Sequence, residues 1–187
     1  MTMKLPPCAR VLALTLLCTA PLTLSAQPRF EQSISLSGGL YAASGFGTNF
    51  YYDGRYDYFI FGGRYFVEAS LGIGSVDSKV LSTVTKAQLF ESNNLVTYEF
   101  SFAYDYAPTG NFPFILFGVA GIKEGEESTF AGVIGLGKRI PLPGLFGSNS
   151  LGFRYDIRDQ IMSQRLNNSD PFIVHNISAT VGLQIYF

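Results

Sequence analysis

Five residues of this 187-residue chain have the types and spacing for charge chemistry in an enclosed space: Glu68, Glu99, Arg154, Asp156 and Arg158. Arg154, Asp156 and Arg158 stand at every second position, so an extended strand carries all three on one face. A guanidinium matches a carboxylate through paired hydrogen bonds, and a charge withdrawn from water must be paired. The spacing therefore predicts ion pairing, either as a fixed network that fills a lumen or as a gate whose alternative pairings open a thin conduit. The fixed network is the simpler reading. Nucleophilic chemistry has less to work with. His175 is the single histidine, and Ser178, three residues on, points to the opposite face of a strand. Ser163 could approach from a neighbouring strand, but no spacing supports that. Cys8 and Cys18 both lie in the leading segment, which leaves no thiol or zinc chemistry further on. Gly118, Gly121, Gly132, Gly135 and Gly137 precede no Gly-Lys-Ser/Thr and make no phosphate loop. No enzyme, cofactor or metal is expected.

The elements that must position these charges read as strands. Leu151, Phe153, Tyr155 and Ile157 alternate with Gly152, Arg154, Asp156 and Arg158. From 173 to 187, Ile173, His175, Ile177, Ala179, Val181, Leu183, Ile185 and Phe187 share a face opposite Asn176, Ser178, Thr180 and Gln184. A helical period would mix these sets, so period two decides for strands. The same alternation covers 33–42, 65–74 and 95–106, with weaker candidates at 54–62, 113–123 and 129–140. The sum is eight strands. Gly62-Gly63, PTGNFP and PLPGLFGSN form one set of connections; polar segments at 45–53, 77–93, 123–128 and 160–171 form the other. That pattern predicts an all-β, antiparallel up-and-down meander.

Composition says where such a meander belongs. Hydrophobic residues make up 47% and charged residues 14%, against roughly 25% charged in an average soluble protein. Aromatic content of 15% excludes disorder, and a net charge of −1 argues against nucleic acid as a partner. Residues 1–26 read as a signal peptide: basic Lys4 and Arg10, an apolar run from Val11, then Ser25-Ala26, with cleavage after either. Its removal leaves 11 basic and 14 acidic residues in 27–187. Strands of roughly 9–12 residues are long enough to cross a bilayer when tilted. A sheet can cross only if it closes, since backbone groups in hydrocarbon must all be paired. The bulky faces would overfill an eight-stranded lumen, whereas the Gly, Ser and Ala concentrated on the polar faces suit one. The expected fold is an eight-stranded transmembrane β-barrel over 27–187, apolar side outward. The aromatic run 49–59, Phe112 and Phe114 are expected to form interfacial girdles.

The run HNISATVGLQIYF resembles the terminal-strand signature of bacterial outer-membrane barrels. Preceded by GFRYDIRDQ, it looks like the last hairpin of a group of proteobacterial barrels, and the strand count and signal make the chain resemble the small OmpA-like outer-membrane β-barrel superfamily. The resemblance extends in architecture over 27–187. It implies recognition by the barrel-assembly machinery through Val181, Leu183, Ile185 and Phe187, and residence in the Gram-negative outer membrane after Sec-type export. No peptidoglycan-binding segment accompanies it, so no cell-wall tether is implied. Outer-membrane lipid and lipopolysaccharide are the expected partners of a monomer with a structural or extracellular-interaction role. Segments 77–93 and 160–171 would make any external contact. The alternatives are a narrow channel or transporter for small solutes, a soluble periplasmic ligand-binding barrel, and a lipid-modifying outer-membrane enzyme built on His175.

Overall fold

The computed structural model describes residues 31–43, 47–77, 92–106, 113–125, 127–142, 150–164 and 172–187. The signal peptide, Phe112 and nearly all of 77–93 and 165–171 lie outside them. Eight strands follow one another: β1 (Gln32–Ala42), β2 (Thr48–Ile60), β3 (Tyr65–Asp77), β4 (Ser92–Tyr104), β5 (Phe114–Glu124), β6 (Glu127–Pro141), β7 (Leu151–Gln164) and β8 (Phe172–Tyr186). Each pairs antiparallel with its neighbours, and β1 pairs with β8 from Ser33↔Tyr186 to Ala42↔Ile177. The sheet is thus a closed barrel. Closure leaves no strand edge unpaired, as hydrocarbon requires. At the end of the seam Gln32 N donates to Phe187 O at 3.1 Å and Phe187 N to Gln32 O at 3.0 Å.

Side chains alternate about this wall as in a barrel turned inside out. Leu36, Phe50, Val119, Phe130 and Leu183 point outward and are exposed, while Ser33, Asp57, Glu68, Arg154 and Gln184 are buried inside. Polar groups inside and apolar groups outside define a transmembrane β-barrel. The inner wall is kept thin where strands crowd. A Cβ on Gly39 would sit 1.9 Å from Ala179 O, which no relaxation of the backbone could absorb cheaply.

Several expected boundaries shift. β2 starts at Thr48, so the polar segment 45–53 is largely wall: Thr48 to Asp53 pair in register with Ala42 to Ser37. Its alternation is hidden because Tyr51 points inward between outward Phe50 and Tyr52. β2 ends at Ile60 rather than 62, since the turn to β3 needs positive φ at Phe61 (50°), Gly62 (71°) and Gly63 (86°). Glycine meets that need without strain; Phe61 does not. The expected connection at 123–128 shrinks to a tight hairpin, with Glu124 opposite Glu127 and Gly125 at φ 60°. β7 runs five residues past 159 because Gln160 to Gln164 continue the ladder with Asn176 to Phe172.

Candidate functional site: the charged lumen

The lumen is filled in three tiers along the strands. At the end carrying Gln32 and Phe187 lies an aromatic floor, where Phe66 meets Phe114 edge-on at 5.2 Å and Phe59 at 5.7 Å. Arg139 stands among these rings, 4.6 Å from the centroids of both Phe59 and Phe66. Its Nη2 donates to Asp105 Oδ2 at 2.5 Å. Phe114 is therefore lumen floor and not girdle, because it falls at inward parity and is 1% exposed. The same correction applies to Tyr51 and Phe59 within 49–59. Phe50, Tyr52, Tyr56 and Tyr58 do face out.

The middle tier holds the charges. Arg154, fully buried, donates from Nη1 to both Asp57 oxygens (2.9 and 3.1 Å), from Nη2 to Glu68 Oε2 (2.5 Å) and from Nε to Asp156 Oδ2 (3.0 Å). Arg158 donates from Nε to Asp156 Oδ1 (3.0 Å) and from Nη1 to Glu99 Oε1 (2.5 Å), and lies 2.6 Å from Glu68 Oε1. Ser101 Oγ also donates to Glu99 Oε1, at 2.5 Å. The structure thus places Glu68, Glu99, Arg154, Asp156 and Arg158 in one connected cluster. It adds three residues from β2 that the sequence reading missed. Arg55 donates to Asp53 from Nε at 3.0 Å and to Thr180 Oγ1 at 2.7 Å, and pairs with Asp156. Asp57 also accepts from Gln184 Nε2 (2.7 Å) and Ser33 Oγ (2.9 Å). A signal for them exists. Asp53, Arg55 and Asp57 repeat at period two and mirror the sign order of Arg154, Asp156 and Arg158.

Above lies a polar-aromatic tier. Tyr41 donates to Gln160 Oε1 and accepts from Asn176 Nδ2, both at 3.0 Å, and Tyr51 and Thr97 share a hydrogen bond of 2.6 Å. Among the described residues the buried charges of the inner wall are six carboxylates (Asp53, Asp57, Glu68, Glu99, Asp105, Asp156) and four arginines (Arg55, Arg139, Arg154, Arg158). Chemically this is a neutralising plug with a surplus of acid.

His175 sits elsewhere, on the outer wall, with Nδ1 2.8 Å from Asp159 Oδ2. Ser178 faces the lumen opposite Arg158, and Ser163 stands across from Ile173 rather than from His175. Val181, Leu183, Ile185 and Phe187 all point outward and are about half exposed.

An inside-out, eight-stranded barrel closed by its own side chains is a small transmembrane β-barrel of the outer-membrane type. Solved structures carry the same fold. The outer membrane protein OprG of Pseudomonas aeruginosa superposes with a TM-score of 0.58 at 10% identity, over 87% of this chain and 99% of that one. Ail, the attachment invasion locus protein of Yersinia pestis, superposes with a TM-score of 0.50 at 11% identity, over 86% and 100%. Neither a family model nor a curated protein matches the sequence.

Proposed function

We propose that this chain is exported, inserts into the Gram-negative outer membrane as a monomer, and serves there as a closed structural and interaction scaffold. One observation supports the reading most. Arg154 is fully buried at the centre of the lumen and makes hydrogen bonds to carboxylates from three strands, so side chains fill the cross-section a solute would need. Eight strands leave an interior just wide enough for such filling. Function then falls to the rims, as expected of loops on a rigid scaffold. The segments between β3 and β4 (78–91) and between β7 and β8 (165–171) would contact an extracellular partner. The outward residues Val181, Leu183, Ile185 and Phe187 would present the terminal strand to the barrel-assembly machinery. An enzymatic role finds no support, since Ser178 and His175 lie on opposite faces of β8.

The test combines fractionation with conductance. The protein is expected in the outer-membrane fraction, absent from the osmotic-shock fraction, and with a gel band that shifts only after boiling. Reconstituted in a planar bilayer it is expected to pass no current at any voltage; steady unitary currents would overturn the closed reading. A narrow channel is the second reading, favoured by the two-charge surplus of carboxylates over arginines. Arg158→Gln widens that surplus, and is expected to pass small currents with a cation-selective reversal potential in a KCl gradient. Anion selectivity would refute that account.

A further inference from the structure

The middle tier of the lumen does not balance its own charge. Five carboxylates (Asp53, Asp57, Glu68, Glu99 and Asp156) face three guanidinium groups (Arg55, Arg154 and Arg158), all of them at most 7% exposed. The floor adds nothing to the sum, since Asp105 answers Arg139 there. Two negative charges are left over in a closed space, and a buried charge without compensation is costly. A proton or a bound cation must offset part of that surplus.

The unpartnered oxygens indicate where. Arg55 takes Oδ2 of Asp53 with both Nε and Nη2, and nothing donates to the buried Oδ1. Glu68 Oε1 also accepts no hydrogen bond, but Arg158 Nη1 lies 2.6 Å from it. Two buried hydroxyls on β1, Ser35 Oγ and Ser37 Oγ, have no partner either. Register brings these groups together. Strands β1 and β2 set Ser33 opposite Asp57, Ser35 opposite Arg55 and Ser37 opposite Asp53, all on the inner face. Residues so paired have Cβ atoms about 5 Å apart. The first and last of these rungs have the same chemistry and opposite outcomes. Ser33 Oγ donates directly to Asp57 at 2.9 Å, whereas Ser37 Oγ and Asp53 Oδ1 make no bond to one another and neither is satisfied. Across the seam Gly182 keeps the space beside Ser37 open, for a Cβ there would come within 2.5 Å of the hydroxyl. Arg158 Nη2 is unpaired too, but a guanidinium needs an acceptor and offers a cation no ligand.

We propose that the β1–β2 wall holds one monovalent cation of sodium size inside the lumen, bound by Asp53 Oδ1 and the hydroxyls of Ser37 and Ser35. One free carboxylate oxygen and two neutral hydroxyls suit a single charge; calcium takes more oxygens, several of them from carboxylates. The ion is enclosed as the barrel closes, and it halves the surplus.

The test uses the whole barrel refolded in detergent, followed by the boiling-dependent gel shift across a urea series, with sodium chloride exchanged for choline chloride at constant ionic strength. An ion bound by the folded state alone stabilises it by mass action, so above saturation a tenfold rise in sodium should raise the folded-to-unfolded ratio about tenfold. Asp53→Asn should abolish that response and be at least as stable as wild type in choline, because it removes a surplus charge and keeps an oxygen for Arg55. Ser37→Ala should need more sodium for the same rise. No sodium response in the wild type, or an equal one in Asp53→Asn, would overturn the proposal. Should Asp53→Asn fail to fold, an unchanged sodium demand in Ser37→Ala would overturn it as well. So would stabilisation by acid alone, which would put a proton in place of the ion, or a response to calcium in place of sodium. The measurement needs only a folded barrel in detergent, so its outcome is independent of the outer-membrane placement.

Discussion

The barrel holds two buried guanidinium groups in contrasting ways. Arg154, in the middle tier, is surrounded by carboxylates: Asp57, Glu68 and Asp156 all accept from it. Arg139, in the floor, is held between ring faces, with Phe59 and Phe66 both at 4.6 Å and Asp105 as a carboxylate partner. Arg154 also lies 5.0 Å from the Phe114 ring, but three carboxylates answer its charge, whereas Arg139 is answered by two nearer rings and a single acid. The lesson is that a narrow lumen tolerates ionised groups by two means, and the two should fail differently. Removing Arg154 strands several acids at once. Removing Arg139 strands fewer and leaves a packed aromatic layer behind.

The largest effect is therefore expected at Arg154→Ala, a loss of about 3–5 kcal/mol, as for breaking a buried ion pair on one side. The chain contains no tryptophan, so unfolding is best followed by the gel shift across a urea series. Glu68→Gln in the Arg154→Ala background should recover part of that loss, giving a coupling of about 1–3 kcal/mol in a double-mutant cycle. Additivity would show that Arg154 and Glu68 act independently and would break the contrast drawn here. Arg139→Met should cost about 2 kcal/mol, mostly from the lost cation–π contacts and the exposed need of Asp105. A loss equal to that of Arg154→Ala would mean the floor depends on charge after all. The smallest effect is expected on the outer wall. Asp159 and His175 are partly exposed, so His175→Ala should change stability by about 0–1 kcal/mol. Lipid A composition should be unchanged in the same variant; an altered acyl pattern would revive the lipid-modifying alternative.

Much of this was legible in the sequence, and the reason lies in how the faces differ. On β7, Leu151, Phe153, Tyr155 and Ile157 contrast so sharply with Arg154, Asp156 and Arg158 that period two is plain, and the inward charges could be named. On β2 the contrast fails. Tyr51 and Phe59 point inward beside outward Tyr52 and Tyr58, so the acidic and basic partners Asp53, Arg55 and Asp57 were hidden in an aromatic stretch that resembled loop and girdle. Phe114 was misread for the same reason, since the residue type fits both a headgroup belt and a packed floor. Only register distinguishes the two, and register is a property of the neighbouring strand. Glycine-rich β5 and β6 were likewise weak as strands, because Gly118, Gly121, Gly132 and Gly135 erase the apolar–polar alternation on both faces.

The pairing of β1 with β8 has a consequence for timing. The seam joins strands at opposite ends of the described sequence, so no tier of the lumen can be enclosed until β8 has been made and delivered. A helical membrane protein can satisfy each span as it emerges; this wall cannot. Arg55 and Arg154 each have one acid on their own strand, Asp53 and Asp156, but their pairs across the lumen with Asp156 and Asp57 must wait for the same event. Contacts of such long range are slow to form. Until then the chain's lipid-facing side chains and its charges alike stand uncovered.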